Sequence, residues 1–251
     1  MLNTIVTGSE TDKPKLLIAH GLYGSARNWG VIAKRMSEGR QVLSVDMRNH
    51  GLSPWFDTQS YHDMADDLAE VIESQGAPMD VVGHSMGGKA SMILALKYPN
   101  FINKLIVADI SPVAYSHTQI QYIKPMRDLD LERVEKRSDA DQMLTEQIPE
   151  AGIRAFLLQS LDIKEKKWRL NLDALEAEMP KIIGFPEISG EFQGVTLFLS
   201  GAKSDYVRPE YRPQIKALFP NAKFAKIPGA GHWLHADKPR EFEAAMQAFL
   251  A

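Results

Sequence analysis

The sequence has no cysteine among its 251 residues. This absence excludes disulfides, thiolate nucleophiles and cysteine-ligated metal sites, and it suits a reducing compartment. Basic blocks are also missing, since 29 lysine and arginine residues are balanced by 32 aspartate and glutamate residues, for a formal net charge of -3. A chain without a basic stripe has nothing with which to follow a phosphate backbone, so we expect no nucleic-acid partner.

Long hydrophobic runs are absent too. No apolar stretch approaches the roughly 20 residues that a membrane-spanning helix needs, and residues 1–7 lack the basic start and apolar centre of a signal peptide. We therefore expect a cytoplasmic protein with no membrane partner. The seven histidines show no spacing typical of metal ligands, so no metal and no cofactor are expected. The length fits one large domain, and no heptad pattern or apolar stripe indicates an oligomeric state.

What the chain does have is a repeated alternation of short apolar runs with helical patterns. Each run is followed by a polar or glycine-rich loop and then by apolar residues at helical spacing. This alternation predicts a mostly parallel sheet with helices on both faces. The expected strands are residues 2–7, 16–19, 41–45, 81–82, 104–108, 195–200 and 223–227.

The fourth of these runs leads into Gly-His-Ser-Met-Gly at residues 83–87. A strand, a sharp turn and a helix fit this pattern, with Ser85 at the apex of the turn. Glycine is expected two residues before and two residues after Ser85, because a Cβ at either place would collide with neighbouring backbone. The turn would raise the Ser85 hydroxyl above the sheet and aim the Met86 amide, at the helix N-terminus, at an oxygen bonded there. Ser85 is therefore a candidate nucleophile.

A serine nucleophile needs a histidine to accept its proton and a carboxylate to orient that histidine. Both should follow the carboxyl ends of strands, where open α/β sheets place their sites. His232 qualifies, because it lies in a glycine-containing loop after the last predicted strand. Two aspartates could supply the acid: Asp109 ends the strand after the elbow helix, and Asp205 follows the strand at 195–200. The spacing of the residues leaves both aspartates open.

Strand patterns disappear between residues 113 and 186, and helical patterns replace them. We expect this segment to form a helical lid, with residues 1–112 and 187–251 as the core. Bulky side chains of the lid and of nearby loops are expected to line a substrate pocket, although each could instead pack the lid against the core. The candidates are Tyr23, Tyr115, Tyr122, Met126, Phe156, Leu157, Trp168, Tyr206 and Trp233.

Three motifs together resemble the α/β-hydrolase superfamily over essentially the whole chain: His-Gly-Leu at 20–22, Gly-His-Ser-Met-Gly-Gly at 83–88 and Gly-His at 231–232. Within the superfamily, the chain most resembles the small bacterial YbfF-like esterases and their mitochondrial relatives. The residues that carry this closer resemblance are 46–54, Lys89 and 109–113. The resemblance implies an α/β-hydrolase fold, with a mostly parallel central sheet flanked by helices and a helical lid inserted after the sixth strand.

The resemblance also bears on the acid. In most of the superfamily the acid ends a Gly-x-x-Asp loop after the lid; here that position is Ser204, and Asp205 is displaced by one residue. In YbfF-like esterases the acid comes from the earlier strand, which matches Asp109, so we favour Asp109 and keep Asp205 as the alternative. The expected site comprises Ser85, Asp109 and His232, with the backbone amides of Leu22 and Met86 as an oxyanion hole.

The expected function is that of a serine carboxylesterase acting on small to medium acyl esters through an acyl-enzyme. The same residues would also suit an acyl-CoA thioesterase, a carbon–carbon hydrolase or lyase, or a non-catalytic receptor that binds a small ligand under the lid. A carbon–carbon hydrolase would need cationic groups for a carboxylated substrate, and Lys89, Arg208 and Arg212 are the candidates. Epoxide hydrolases and haloalkane dehalogenases are excluded, because those relatives carry an aspartate where this chain has Ser85.

Other polar residues of the motifs have structural interpretations. His20, His50 and His84 are expected to hydrogen-bond the loop backbones around the site. Asp46 and Arg48 are expected to form an ion pair that holds their loop.

Overall fold

The computed structural model describes residues 1–76 and 78–251. Its strands are β1 (Thr4–Thr7), β2 (Leu16–Ala19), β3 (Val42–Val45), β4 (Met79–His84), β5 (Ile102–Ala108), β6 (Leu161–Asp162), β7 (Lys167–Trp168), β8 (Val195–Gly201) and β9 (Ala222–Ile227). Seven of them form one sheet in the order β1-β3-β2-β4-β5-β8-β9. β1 pairs antiparallel with β3, and the other neighbours in the sheet are parallel. The carboxyl ends of the parallel strands therefore meet at one edge of the sheet.

Helices cover the sheet and fill the segment between β5 and β8. They are α1 (Gly30–Met36), α2 (Tyr61–Ser74), α3 (Met86–Lys97), α4 (Ile123–Asp128), α5 (Arg137–Leu144), α6 (Ala151–Leu157), α7 (Leu172–Ala177), α8 (Met179–Ile183), α9 (Arg212–Leu218), α10 (Leu234–Asp237) and α11 (Pro239–Leu250). No helix in the described part of the chain is both long enough and apolar enough to cross a membrane.

The sheet separates two hydrophobic cores, because successive side chains of a strand point to opposite faces. In β2, Leu17 packs into the core that contains α2 and α3, whereas Leu16 and Ile18 pack into the core that contains α1 and α11. All three side chains are fully buried. A strand that is buried on both faces needs apolar side chains at successive positions, and the continuous apolar run of β2 meets this requirement.

The helical segment departs from the prediction in two details. It follows the fifth strand of the chain, so the expected place after a sixth strand is wrong: residues 8–15 add no strand between β1 and β2. It also contains the short hairpin of β6 and β7, which the sequence pattern did not predict because strands of two residues carry no periodicity. The division into a core (1–112 and 187–251) and a lid (113–186) stays a prediction. We refer to residues 113–186 as the cap.

Backbone hydrogen bonds fasten the cap to the edge where the parallel strands end. The Gly51 amide donates to the Arg169 carbonyl at 2.8 Å, and the Asn171 amide donates to the Asn49 carbonyl at 3.0 Å. The Ser160 hydroxyl donates to the Tyr23 carbonyl at 2.9 Å. These bonds hold the cap over the loops that follow β2 and β3.

Candidate active site

Ser85 lies at a strained turn between β4 and α3. Its φ of 52° falls in the left-handed region, which a residue with a Cβ rarely adopts. The turn is tight enough that a Cβ on Gly83 would lie 2.3 Å from the Gly87 carbonyl oxygen, and a Cβ on Gly87 would lie 2.4 Å from the Ala19 carbonyl oxygen. The predicted need for glycine on both sides of the serine is confirmed.

The loops after β5 and β9 bring a carboxylate and an imidazole to this turn. The Nε2 atom of His232 lies 3.1 Å from the Ser85 hydroxyl oxygen. The Nδ1 atom of the same ring lies 2.7 Å from a carboxylate oxygen of Asp109. If Nδ1 carries the proton and donates it to Asp109, Nε2 is free to accept the serine proton. The arrangement suits a serine activated by a general base.

Asp109 is fully buried, and hydrogen bonds satisfy both of its carboxylate oxygens. One oxygen accepts from the Gly201 amide at 3.0 Å. The other, which contacts His232, also accepts from the Ser204 hydroxyl. A carboxylate held by several donors is fixed in its direction. Ser204 therefore contacts Asp109 from the position at which most of the superfamily carries its acid.

Asp205, the alternative acid, points away from this cluster. Its side chain is 87% exposed, and its carboxylate lies 3.8 Å from the Arg208 guanidinium. The displacement by one residue from the Gly-x-x-Asp position accounts for the difference: Ser204 faces inward and the next side chain faces solvent. The structure thus brings Asp109 to His232 and leaves Asp205 in solvent.

The amides of Leu22 and Met86 are free in the described residues, since neither donates a hydrogen bond to another protein group there. Both residues are buried and line the same cavity as Ser85. Met86 is the first residue of α3, so its amide also lies at the positive end of the helix dipole. Two unpaired donors beside a nucleophile can bind the negative oxygen of a tetrahedral intermediate.

The sequence profile of the alpha/beta hydrolase family matches residues 16–245. The chain belongs to this family. Among its relatives, the sn-1-specific diacylglycerol lipase ABHD11 of Mus musculus is 43% identical over 250 residues, which cover 95% of this chain and 81% of the relative. Esterase YbfF of Escherichia coli (strain K12) is 36% identical over 240 residues, which cover 94% of this chain and 92% of the relative. The predicted likeness to YbfF-like esterases is confirmed.

The fold is shared with solved structures of the same family. A marine microorganism esterase superposes with a TM-score of 0.92 at 37% identity, over 99% of this chain and 100% of the other. The predicted α/β-hydrolase fold, with its mostly parallel sheet flanked by helices, is confirmed.

Three adjoining cavities lie at this site of the alpha/beta hydrolase, and Ser85 lines two of them. Ser85, Tyr115 and Tyr206 contribute to the wall of the inner cavity. A second cavity reaches Ser85 and His232 from the other side and is lined in part by Phe156 and Trp233. The outer cavity is lined largely by aromatic and aliphatic side chains, among them Tyr23, Tyr122, Phe156, Leu157, Tyr206 and Trp233.

Two predicted pocket residues do not line these three cavities. Met126 is fully buried inside the cap, and its carbonyl oxygen accepts a hydrogen bond of 2.6 Å from the indole nitrogen of Trp168. Their assignment to the pocket is wrong, because the cap has a hydrophobic core of its own that takes up both side chains. Bulk and position in the lid did not distinguish a lining residue from a core residue.

Several residues of the inner cavity were missed by the sequence analysis. Tyr61 at the start of α2, Gln119 before α4, and Ile182 and Ile183 at the end of α8 all line it. They are distant from the motifs in the sequence, so no local pattern linked them to Ser85. Lys89 offered a better signal, since it lies four residues after Ser85 and therefore on the same face of α3.

The three histidines of the hydrolase loops bond to backbone groups, as predicted. The Nε2 atom of His20 accepts from the Met47 amide at 2.9 Å, and that of His50 accepts from the Tyr23 amide at 3.2 Å. The Nε2 atom of His84 lies 2.9 Å from the carbonyl oxygen of His232 and so helps to hold the loop that carries His232. Burial lowers the pKa of His50 to about 3 and that of His84 well below its ordinary value.

The predicted ion pair between Asp46 and Arg48 is not formed. Asp46 accepts hydrogen bonds from the Ala26 amide at 2.8 Å and the Leu52 amide at 2.9 Å. Arg48 instead binds Asp67 of α2 with two hydrogen bonds. The side chains of the two residues leave the loop in different directions, so each fastens the loop to a different element.

Of the three cationic candidates, only Lys89 lines a cavity that contains Ser85. Arg208 is exposed beside Asp205, and the guanidinium of Arg212 lies 4.9 Å from the centre of the Phe224 ring. No group of three histidine, aspartate or glutamate side chains within residues 1–76 and 78–251 is placed to hold a metal ion.

Proposed function

We propose that this protein is a serine carboxylesterase that hydrolyses small to medium acyl esters. The observation that carries the proposal is the chain of contacts from Ser85 through His232 to Asp109, at 3.1 Å and 2.7 Å. The named activities of its relatives, an esterase and a diacylglycerol lipase, support ester hydrolysis by this chain.

In the first half of the proposed reaction, the Ser85 oxygen attacks the ester carbonyl carbon while its proton passes to Nε2 of His232. The amides of Leu22 and Met86 bind the negative oxygen of the tetrahedral intermediate, and Asp109 stabilises the imidazolium. Collapse of the intermediate breaks the bond to the alcohol oxygen, which takes the proton from His232. The products of this half are the free alcohol and an acyl group bonded to Ser85.

In the second half, a water molecule gives a proton to His232 and attacks the acyl carbonyl. The new tetrahedral intermediate uses the same two amides, and its collapse returns the proton to the Ser85 oxygen. The carboxylic acid then leaves. The Tyr206 ring, stacked on the imidazole with 4.0 Å between centroids, holds His232 in one orientation for both proton transfers.

Replacing Ser85 with alanine tests the proposal. We expect Ser85→Ala to keep the fold, because the residue remains small, and to lower kcat/KM for p-nitrophenyl butyrate by at least about 10⁴-fold. Circular dichroism and thermal unfolding would show that the variant is folded. Normal turnover by a folded Ser85→Ala protein would end the proposal.

A lipid ester is a second candidate substrate, favoured by the outer cavity. Tyr122, Phe156, Leu157 and Trp233 give this cavity an apolar wall beside the one that reaches His232. An acyl chain or a glycerol lipid could lie there, in keeping with the diacylglycerol lipase among the relatives. Turnover of p-nitrophenyl esters from C2 to C12 would test this candidate. A rate that falls steeply beyond C4 would count against it.

A further inference from the structure

Lys89 places a buried ammonium group in the wall of the inner cavity. The residue is only 1% exposed. It lies one turn after Ser85 on α3, and both residues line this cavity. Lysine is almost never fully buried without a partner, because removing its charge from water is costly. The Lys89 ammonium should therefore have polar or charged partners around it.

Protein groups satisfy the ammonium only in part. The Lys89 nitrogen donates to the Ile183 carbonyl at 3.0 Å and to the Gly184 carbonyl. An ammonium has three donors, so one N–H is left. The nitrogen also lies 4.8 Å from the centre of the Tyr115 ring and 5.6 Å from that of Tyr61, and both rings line the inner cavity. These partners of the Lys89 nitrogen are carbonyl dipoles and ring faces, and none of them carries a negative charge.

The rest of the inner cavity offers no counter-charge either. No aspartate or glutamate is among the described residues that line it. The two tyrosine hydroxyls are already committed, that of Tyr61 to the Ile182 carbonyl at 2.6 Å and that of Tyr115 to the Tyr206 carbonyl at 2.7 Å. Burial lowers the pKa of Lys89 to about 7, and no carboxylate opposes this effect. An anion that entered the cavity would favour the charged form of the lysine.

We propose that Lys89 is a carboxylate-binding subsite, so that the inner cavity accepts acyl groups that end in a carboxylate. The substrates would be hemiesters of short dicarboxylic acids, with the ester carbonyl at Ser85 and the free carboxylate on the third N–H of Lys89. The inference rests on the proposed esterase function and adds the class of acyl group. Attack, release of the alcohol and hydrolysis follow the steps already given, and the product is the free dicarboxylate.

The spacing supports a short acyl group. Residues four apart on a helix have Cβ atoms about 5–6 Å from each other. The Lys89 side chain is held toward the end of α8 by its two carbonyl partners, so the position of its nitrogen is fixed. Two or three methylenes between the two carboxyl carbons of the substrate suit that separation, whereas a long chain would have to fold back.

The first experiment uses the unmodified protein and two matched pairs of substrates. Monoethyl succinate is paired with ethyl 4-methylpentanoate, and monoethyl glutarate with ethyl 5-methylhexanoate. Each pair shares one skeleton and differs in a terminal carboxylate against a terminal isopropyl group. Release of ethanol is measured at pH 6.5. A hydrogen bond between charged groups predicts that kcat/KM favours the hemiester by about 10- to 100-fold.

A substitution of Lys89 tests whether this residue causes the preference for the hemiester. Lys89→Met keeps an unbranched side chain one atom shorter and removes the charge, and we expect the ratio of hemiester to neutral ester to fall at least about tenfold. The matched control is Lys97→Met, at the end of the same helix, where the lysine pairs with Asp66 on the surface. It removes the same charge from the protein and should leave the ratio as it was.

The outcomes separate this inference from the proposed function. No turnover of either ester by the unmodified protein would remove the esterase proposal. Turnover with no preference for the hemiester, or with a preference for the neutral ester, would overturn the subsite alone. A folded Lys89→Met protein that loses activity on both esters equally would make Lys89 only a support for the end of α8, which also overturns the subsite.

Discussion

Asp109 reaches His232 from the loop after β5, whereas the loop after β8 contributes only Ser204 to this contact. Asp109 has a φ of 52° and is fully buried, so the loop after β5 is strained in order to aim this carboxylate at His232. We expect Asp109→Asn to lower kcat/KM for p-nitrophenyl butyrate by about 10⁴-fold, because an amide favours the wrong tautomer of the imidazole. Steady-state kinetics on the folded variant would measure the loss.

Asp205→Asn is the matched control for that variant. The substitution is the same, but the side chain is exposed and lies beside Arg208 rather than the imidazole. We expect its rate to stay within about twofold of the parent, as for most surface substitutions. Collapse of activity in Asp205→Asn with retention in Asp109→Asn would reverse the assignment of the acid.

Ser204 should have a smaller effect than Asp109. Its hydroxyl donates to the oxygen of Asp109 that also contacts His232, and it accepts from the Tyr206 amide at 3.3 Å. Losing one hydrogen bond to a charged group predicts a decrease of roughly 10-fold in kcat/KM for Ser204→Ala, with KM little changed. Kinetics over a series of pH values would show whether the pKa of the base moves as the carboxylate is freed. A Ser204→Ala rate equal to that of the parent would show that this donor is dispensable.

At the scale of the element, the elbow between β4 and α3 depends on Gly87. A Cβ at this position would lie 2.4 Å from the Ala19 oxygen and 2.5 Å from the His20 oxygen, both of them backbone atoms of β2 and its loop. We expect Gly87→Ala to destabilise the protein by about 1–3 kcal/mol and to lower activity as α3 shifts. Urea unfolding with a parallel activity assay would measure both effects.

Gly152 supplies the control for that experiment. It lies in α6, and a Cβ there would meet nothing within 4 Å. Because alanine is the better helix former, Gly152→Ala should leave activity unchanged and add up to about 1 kcal/mol to the free energy of unfolding. Equal stabilities for the two variants would contradict the steric account of the elbow.

The elements that the sequence predicted well are those in which a local pattern and the tertiary structure agree. The buried run at β2 and the glycine at position 83, where a Cβ would meet the Gly87 carbonyl, are both decided by neighbours within a few residues. His232 and Asp109 could be placed because the carboxyl ends of parallel strands must meet at one edge.

The cap was predicted less well for a physical reason. Its helices are short, five to eight residues each, and they bury side chains against one another as well as toward the cavity. Met126 and Trp168 pack against other parts of the cap, whereas Phe156 lines a cavity, although all three are bulky residues of the same segment. Which face of a short helix meets the cavity depends on packing between distant elements, and no local periodicity records it.

At the scale of the whole molecule, the buried histidines connect the active-site loops to stability. Burial lowers the pKa of His50 from 6.5 to about 3 and holds that of His84 well below 6.5. Between those values the unfolded chain binds protons that the folded protein cannot, so the free energy of unfolding rises with pH. The stability that these neutral histidines contribute is complete above about pH 6.5 and is lost as the pH falls toward 3.

We therefore expect the protein to lose stability on mild acidification, by about 1.4 kcal/mol for each pH unit below 6.5 and for each such histidine. Urea unfolding at pH 7.5, 6.5 and 5.5 would measure the slope. Measurements at pH 7.5 and 8.5 report on Lys89 rather than on these histidines, since the histidines are neutral in both states there whereas burial lowers the pKa of Lys89 to about 7. Because His50 and His84 bond to the backbones of Tyr23 and His232, their protonation would also loosen the loops that carry the oxyanion amides and the base. Activity should then fall over the same acidic range as stability, and an unfolding free energy equal at pH 7.5 and pH 5.5 would show that these histidines are not held neutral.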